Sequence, residues 1–245
     1  RDVVLLEAVG INPIIVHGGG KAISEAMGSA GIESKFISGQ RFTDQVSIQI
    51  VEDTLGTKVN SNLVRLVKSH GGKAAGISGT KVFSSDRMLG INENGEEVDL
   101  GFVGSVKECS VEELQELIIK ETIPVVSPLS KESSSGHTLN TNADLAASAL
   151  AGTMHVAKLV YISDVLGVMR DPDDDGSLIH SICCSEVEPL ADEGVISGGM
   201  LPKLRSAVDA ISSGVGKVHL IDGRIPHSLL LEIFTNTGVG TEIVP

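Results

Sequence analysis

Residues 12–21 read Asn-Pro-Ile-Ile-Val-His-Gly-Gly-Gly-Lys, and the order of residue types in this stretch decides the fold. The apolar run is typical of a strand that is buried on both faces of a parallel sheet. The three glycines allow a tight turn, and the helix predicted after them would offer free N–H groups to an anion. The stretch therefore predicts a parallel α/β protein, in which this loop is either a plain turn or a ligand-binding turn.

The loop does not match the common glycine-rich nucleotide motifs. Ala22 stands where a Walker A loop needs Ser or Thr, and Ile15 stands where it needs its first Gly. The spacing also fails the G-x-G-x-x-G pattern. The loop alone therefore does not identify a nucleotide site.

Short β-branched runs alternate with amphipathic segments along the rest of the chain, which predicts a three-layer αβα sandwich with a mainly parallel central sheet. Residues 1–9 are expected to be the end of a helix that Gly10 terminates. Residues 80–107 are expected to form a β-hairpin region. The other predicted strands cover residues 73–78, 122–127, 158–162, 217–221 and 241–244, and the other predicted helices cover residues 111–120, 142–152, 202–213 and 227–234.

The longest predicted element is a helix over residues 44–70, which Thr43 or Asp44 would cap. Its apolar residues recur about once per helical turn, as expected of one buried face. These residues are Val46, Ile50, Leu55, Val59, Leu63 and Leu66.

Composition excludes several classes of partner. The 245 residues are 41% hydrophobic, which is enough for a large core, and the formal net charge is −13. With 2% aromatic residues and no Trp, the chain is not expected to bind nucleic acid or an anionic membrane. No apolar run reaches membrane-spanning length, and the three cysteines show no disulfide framework. We expect a soluble protein of the cytoplasm, or of the plastid stroma if the source is plant-like.

Two motifs carry polar side chains that suit a small ligand. Residues 39–44 contain Arg41, which is either a surface arginine or a fork that binds a carboxylate. Residues 140–144 read Asn-Thr-Asn-Ala-Asp, in which Asn142 suits a helix N-cap and Asp144 the first helical turn. Capping does not explain Asn140, which could hold a small polar ligand.

A third motif, residues 198–203, reads Gly-Gly-Met-Leu-Pro-Lys. Pro202 suits a helix start, so Lys203 falls in the first turn and Arg205 follows close behind. Positive charge there opposes the helix dipole at a cost of up to about 1 kcal/mol, and a bound polyanion would reverse the sign. The motif therefore predicts a phosphate site.

No metal site held by the protein is predicted. Residues 171–176 imitate the first half of a calcium loop, but Ile182 stands where an EF-hand needs its bidentate Glu. His180, Cys183 and Cys184 lack a second pair of ligands at a workable spacing.

Taken together, the motifs at residues 16–20, 39–43, 140–144, 163–165 and 198–203 resemble, in their order, those of the acetylglutamate kinases of the amino-acid kinase superfamily. The resemblance covers essentially the whole chain. It implies an acceptor-binding N-terminal lobe over residues 1–155 and a nucleotide-binding C-terminal lobe over residues 156–245. The implied reaction is transfer of a phosphoryl group from ATP to the side-chain carboxylate of N-acetyl-L-glutamate, a step of arginine biosynthesis. Mg²⁺ is expected to bind through the ATP phosphates.

The resemblance also implies a role for each matching residue. The acceptor and the transferred phosphoryl group would be bound by Gly19, Gly20, Arg41 and Asn140. ATP would be bound by Gly18, Ser163, Asp164 and Gly199. The catalytic residues would be Lys203, which stabilises the transferring phosphoryl group, and Asp144, which organises the catalytic lysines. The acceptor carboxylate is already ionised, so the reaction needs no strong general base.

Residues 217–241 are similar to the arginine-inhibited members of the family. In those members the residues that match His219, Glu232 and Gly238 help to form the arginine site, and a carboxylate is a suitable partner for a guanidinium. The resemblance thus implies L-arginine as a feedback inhibitor. It also implies a homo-oligomer, which would be a dimer, or a hexamer where an N-terminal helix is present.

One departure from the family pattern affects catalysis. Family members open with a strand that ends in Lys-x-Gly-Gly, whose lysine is a second cation at the phosphoryl group. This sequence has no such segment, and Lys21 does not match it because it follows the second glycine-rich loop. We expect the sequence either to lack its N-terminal segment or to be impaired in catalysis.

Two other functions stay open at this point. The first is a kinase for a related acceptor such as N-acetyl-2-aminoadipate, which is longer by one methylene. The second is a catalytically silent arginine-binding module. Comparing N-acetyl-L-glutamate with N-acetyl-2-aminoadipate as acceptors would test the first alternative. Arginine binding without ATP turnover would support the second.

The phosphate site predicted around Lys203 is directly testable. We expect Lys203→Ala to weaken nucleotide binding and to lower turnover, because it removes the cation that faces the transferred phosphate. Calorimetric nucleotide titration and steady-state kinetics measure the two effects. Unchanged affinity and turnover would mean that this helix start is not a phosphate site.

Overall fold

The computed structural model describes residues 1–37, 39–92, 94–235 and 237–245. These residues divide into two compact units. Unit 1 contains Arg1 and Val3–Ala146, and unit 2 contains Asp2 and Ala147–Pro245.

Most of the predicted helices and strands are present, with bounds that differ by a few residues. Up to residue 153 they are α1 (Asp2–Ala8), β1 (Ile15–Val16), α2 (Gly20–Ser29), β2 (Phe36–Ile37), β3 (Gln40–Arg41), α3 (Gln45–Glu52), α4 (Asn60–Ser69), β4 (Ala74–Ile77), β5 (Phe83–Ile91), β6 (Glu97–Cys109), α5 (Glu112–Ile119), β7 (Ile123–Val126), β8 (Leu129–Glu132), β9 (Thr138–Thr141) and α6 (Ala143–Thr153). After residue 153 they are β10 (Lys158–Ser163), β11 (Ser181–Cys183), α7 (Val187–Asp192), α8 (Met200–Ser212), β12 (Lys217–Asp222), α9 (Ser228–Phe234) and β13 (Thr241–Val244).

Unit 1 contains a parallel sheet in the order β1-β7-β4. Its central strand β7 is buried along its whole length, as expected of a strand that is covered on both faces. The strand predicted over residues 12–17 is the edge strand β1, which is shorter than predicted and only half-buried. The carboxyl ends of these strands lie at one edge of the sheet, and the glycine-rich loop leaves the sheet at that edge.

A closed barrel of β5, β6, β9 and β8 forms the second part of unit 1. The hairpin predicted over residues 80–107 is the pair β5–β6, so that prediction is confirmed. The sequence pattern does not predict β8 and β9, because each has only four residues and three of these are polar. Strand β6 pairs with β9 at Val103 and Asn140, and this pairing fixes the position of Asn140.

The long predicted helix is present, but it is not uniform, and its predicted buried face is only partly confirmed, since Leu55 is buried and Ile50 and Leu63 pack against buried residues. A π-helix, Asp53–Val59, joins α3 to α4 and shifts the phase of the buried side. Val46 is 57% exposed and Leu66 is 40% exposed, whereas the polar Thr54 and Asn60 are buried. The apolar residues of α3 lie on more than one side of the helix, because Ile48 and Val51 are buried while Val46 is exposed.

Unit 2 contains a mixed sheet in the order β10-β12-β13-β11. The pairs β10–β12 and β11–β13 are parallel, and only β12–β13 is antiparallel. Helix α8 packs on this sheet through Leu204, Ala207 and Ala210, which share one core with Val218 and Leu220. No helix among the described residues is long and apolar enough to cross a membrane.

Candidate active site

The glycine-rich loop places the N-terminus of α2 at the edge of the unit 1 sheet where the parallel strands have their carboxyl ends. Gly19 is the N-cap residue, and no side chain of the described residues caps the helix. The N–H groups of the first turn therefore remain suitable for an anionic ligand. A β-carbon at Gly19 would collide with Cδ2 of Leu55, so the backbone packs against the π-helix more closely than any other residue type allows.

His17 and Asn60 hold the start of this loop. The Asn60 amide donates to Val125 O at 2.8 Å and contacts His17 Nε2 at 3.2 Å, while His17 Nδ1 lies 2.8 Å from Gly18 O. Because an amide N–H can only donate, Nε2 accepts and Nδ1–H donates to Gly18 O. Burial lowers the pKa of His17, and the Gly18 carbonyl opposes this only in part, so the ring is held neutral.

Arg41 is a buried cation with neutral partners. It is 7% exposed, and its Nη2 donates to Gly20 O at 3.0 Å and to Ser24 Oγ at 2.9 Å. Its Nη1 contacts Ser34 Oγ and Met27 Sδ. Within the described ranges no carboxylate forms an ion pair with it, and burial lowers the pKa of its guanidinium. Of the two alternatives predicted for Arg41, the surface arginine is therefore wrong. Its role as a ligand of a carboxylate stays a prediction.

Asn140 lies beside Arg41. Its Nδ2 donates to Thr43 Oγ1 at 3.2 Å, and Thr43 Oγ1 donates to Arg41 O at 2.8 Å. Gly101, which forms a bridge with Thr43, has a φ of +76°, and a β-carbon there would collide with Thr43 O. The structure therefore brings together the residues predicted to bind the acceptor, namely Gly19, Gly20, Arg41 and Asn140.

Asp144 lies in the first turn of α6, as predicted. Asn142 is the cap of this helix, because its Oδ1 accepts from the N–H groups of Asp144 at 2.8 Å and Leu145 at 3.2 Å. The cap fixes the backbone of Asp144.

Ser163 and Asp164 lie at the carboxyl end of β10, next to the end of the parallel strand β12. The Ser163 hydroxyl is buried and has no hydrogen-bond partner among the described residues. Beside it, Asp222 is buried and pairs with Nη2 of Arg224 at 2.7 Å, and hydrogen bonds from Arg224 lower the pKa of Asp222. Carboxyl ends of parallel strands are the usual place for ligands in α/β proteins.

Helix α8 starts at Met200, with Gly199 as N-cap residue, so Pro202 is the third helical residue and Lys203 the fourth. Nζ of Lys203 lies 4.9 Å from the ring centroid of Tyr161. Arg205 was expected to add positive charge to the predicted phosphate site. In the structure Glu188 binds its guanidinium through two contacts of 2.8 Å.

His219, Glu232 and Gly238 meet in unit 2. Glu232 Oε1 contacts His219 Nδ1 at 2.6 Å, and Oε2 accepts from the N–H groups of Val239 at 2.7 Å and Gly240 at 3.0 Å. A β-carbon at Gly238 would collide with this carboxylate. Burial raises the pKa of Glu232, but the three hydrogen bonds outweigh it, and the net effect is a lowered pKa.

Several contributing residues were missed by sequence reasoning. Thr43 could have been found from its i+2 spacing to Arg41, which places both side chains on one side of an extended segment. Ser24, Ser34 and Asn60 carry no motif signal; Asn60 is marked only by the burial of its polar side chain, and the two serines are half-buried. Within the part of the chain that is described, no group of three or more His, Cys, Asp or Glu side chains is arranged to hold a metal ion.

Comparison with known proteins gives a consistent picture. The model of the Amino acid kinase family matches residues 1–222. Acetylglutamate kinase of Akkermansia muciniphila is 51% identical over 100% of this chain and 82% of its own length. Acetylglutamate kinase of Methanothrix thermoacetophila is 43% identical over 99% of this chain and 84% of its own length. A solved structure of N-acetylglutamate synthase from Neisseria gonorrhoeae, in complex with coenzyme A and N-acetyl-glutamate, is 26% identical, with a TM-score of 0.84 over 100% of this chain and 54% of that chain.

The chain therefore belongs to the amino acid kinase family. Its curated relatives within that family are acetylglutamate kinases, which confirms the resemblance seen in the order of the motifs. The predicted fold class is confirmed as well.

The steric role of Gly19 leads to a prediction about stability. Gly19→Ala should destabilise the protein by roughly 1–3 kcal/mol, because the new methyl group overpacks against Leu55. Gly28→Ala on the same helix is the matched control, since no described atom lies within 4 Å of its β-carbon. The control should be neutral or stabilising by up to about 1 kcal/mol. Urea unfolding measures both, and equal effects of the two variants would contradict the steric argument.

The Glu232 network predicts a pH-dependent stability. Glu232→Gln should cost roughly 1–3 kcal/mol at neutral pH, because its buried partners lose a charged acceptor. The wild-type pKa is lowered in the folded state, so its contribution is complete above the ordinary carboxyl pKa. That contribution is lost as the pH falls through the lowered pKa. The free energies of unfolding of the wild type and of Glu232→Gln should therefore converge at low pH.

Urea unfolding between pH 7 and pH 3 measures this difference. Glu193→Gln is the control, because Glu193 is exposed, and it should stay within about 0.5 kcal/mol of the wild type. A difference between Glu232→Gln and the wild type that does not change with pH would contradict a role for the charge.

Proposed function

We propose that this protein is an acetylglutamate kinase, which transfers the terminal phosphoryl group of ATP to the side-chain carboxylate of N-acetyl-L-glutamate. The observation that carries this proposal is the buried guanidinium of Arg41, which has only neutral partners among the described residues and donates to Gly20 O, while Asn140 is linked to the Arg41 backbone through Thr43. A buried charge is stable when a counter-charge pairs with it, and a dicarboxylate acceptor supplies one.

Arg41 is proposed to bind the acceptor carboxylate that does not react. A carboxylate held by two parallel N–H donors is positioned firmly, but its oxygens are poorer nucleophiles. The reacting carboxylate is therefore better placed at the N-terminus of α2. There the N–H groups of Gly19 and Gly20 would stabilise the charge that develops during transfer.

ATP is proposed to bind at Gly18, Ser163, Asp164 and Gly199. The buried hydroxyl of Ser163 supports this part, because a buried polar group normally has a hydrogen-bond partner and a nucleotide would provide one. Mg²⁺ would bind through the ATP phosphates and would neutralise part of their charge. Lys203 would stabilise the transferred phosphoryl group, and Asp144 would orient the catalytic lysines.

Inhibition by L-arginine is proposed at His219, Glu232 and Gly238. A buried carboxylate is a suitable partner for a guanidinium, which supports this assignment. Both oxygens of the carboxylate are hydrogen-bonded and the side chain is buried, so an effector that binds it would have to displace a partner such as His219. Assembly into a homo-oligomer, a dimer or a hexamer, remains a prediction.

The reaction itself is the direct test. We expect the full-length protein, with ATP, Mg²⁺ and N-acetyl-L-glutamate, to form an acyl phosphate that hydroxylamine traps as the hydroxamate. Arg41→Lys should raise the KM of the acceptor about 10- to 100-fold, because lysine cannot form the two parallel hydrogen bonds. Arg65→Lys is the control, because Arg65 is exposed and contacts only Asn62 Oδ1 among the contacts seen, at 2.7 Å.

Other outcomes would favour the alternative functions. N-Acetyl-2-aminoadipate should be a poorer acceptor by roughly 10- to 200-fold, because its extra methylene misfits the pocket. A preference for the longer acceptor would support the related kinase instead. Arginine binding without turnover of either acceptor would support the silent arginine-binding module.

A further inference from the structure

The sequence contains a single tyrosine, Tyr161, in the middle of β10. Its side chain is 4% exposed and packs in the core of unit 2. The face of its ring is turned towards Lys203, whose Nζ lies 4.9 Å from the ring centroid. An ammonium within about 6 Å of an aromatic ring face is attracted by the ring quadrupole.

The ring is anchored at its far end as well. Tyr161 Oη lies 3.0 Å from Oγ of Ser206, which is buried on α8 three residues after Lys203. The backbone carbonyl of Ser206 in turn accepts a hydrogen bond of 2.9 Å from Ser148 Oγ. Residues three apart on a helix lie on one face, so the tyrosine contacts Lys203 and Ser206 from the same side of α8.

Tyr161 also has a fixed relation to the proposed nucleotide site. Ser163 is two residues further along β10, so its side chain is on the same face of the strand as the tyrosine ring. Strand β10 therefore carries two features of interest. One is the Tyr161 ring, which contacts Lys203, and the other is the buried Ser163 hydroxyl, which has no hydrogen-bond partner among the described residues.

We propose that Tyr161 is a positioning residue, whose ring face holds the ammonium of Lys203 where the transferred phosphoryl group is stabilised. This inference rests on the proposed role of Lys203. A lysine side chain has four rotatable bonds, and fixing it before the reaction removes an entropy cost from the transition state. An aromatic face attracts the cation without offering an oxygen that would compete with the phosphate for its protons.

The other explanation is that the ring only fills the core and that the hydroxyl contact to Ser206 requires the tyrosine. The two explanations differ in which part of the side chain matters. The positioning role depends on electron density at the ring face, whereas core filling depends on volume and the hydroxyl contact depends on oxygen. Variants that change one property at a time separate them.

The experiment places phenylalanine, 3,4,5-trifluorophenylalanine or pentafluorophenylalanine at position 161 of the full-length protein. Tyr161→Phe should stay within about twofold of the wild-type kcat, because it keeps the ring face. Fluorination withdraws electron density from the face, and kcat should fall stepwise by roughly 3- to 30-fold in total. The KM for the acceptor should not change, since the substitution acts on Lys203 and leaves the residues proposed to bind the acceptor unaltered.

Ser206→Ala is the matched control, because it removes the hydroxyl contact and leaves the ring in place. It should behave like Tyr161→Phe, with thermal unfolding used to show that each variant is folded. A pentafluorophenylalanine variant that keeps the kcat of Tyr161→Phe would overturn the proposal. Equal large losses in Tyr161→Phe and Ser206→Ala would also overturn it, in favour of the hydroxyl contact.

A second measurement is independent of turnover. Because Tyr161 is the sole tyrosine, growth on 3-fluorotyrosine labels this residue alone, and its ¹⁹F resonance should shift in Lys203→Met without any ligand. An unchanged resonance would overturn the contact itself. If the wild type does not phosphorylate N-acetyl-L-glutamate, the proposed function fails, and the inference is then decided by this shift and by ATP affinity across the fluorinated series.

Discussion

The side-chain amide of Asn60 is the group on which the geometry of the glycine-rich loop depends. Both of its protons are used inside unit 1, one towards Val125 of β7 and one towards His17 after β1. The amide also needs a glycine opposite it, because a β-carbon at Gly76 of β4 would collide with its oxygen. One buried side chain on α4 thus contacts β7, β4 and the residue that follows β1, and it sets the tautomer of the histidine that leads into the loop.

This arrangement explains why the fold was largely predictable from sequence and the supporting contacts were not. Strand, glycine turn and helix follow one another within residues 12–29, so local pattern suffices to predict them. The π-helix has no pattern of its own, and it is the element that brings Asn60 to its buried position. The contact between Asn60 and Val125 spans 65 residues, and no local rule relates the two.

The same distinction holds for the candidate site. Asn142 as a helix cap was predictable, because a cap acts within three residues. The neutral partners of Arg41 lie up to 21 residues away and include a backbone carbonyl, so no residue type identifies them. The partner of Arg205 is likewise remote, and the sequence therefore suggested a role in phosphate binding for a guanidinium that Glu188 already binds. The order of the motifs along the chain, by contrast, does not depend on such remote contacts, and it indicated the right family.

The two buried charges discussed above differ in one physical respect that bears on regulation. Arg41 has neutral partners, so an anionic acceptor adds a counter-charge without removing an existing one. Glu232 already has an imidazole and two backbone N–H groups, and a cationic ligand must replace at least one of them. His219 Nε2 also lies 3.3 Å from Nζ of Lys158, so displacing the ring removes a contact of the Lys158 ammonium on β10. Because β10 also carries Tyr161 and Ser163, a ligand that displaces His219 acts on the strand that holds the proposed nucleotide residues. An acceptor carboxylate that binds the Nη groups of Arg41 would also displace hydrogen-bond partners, but the partners described there are neutral.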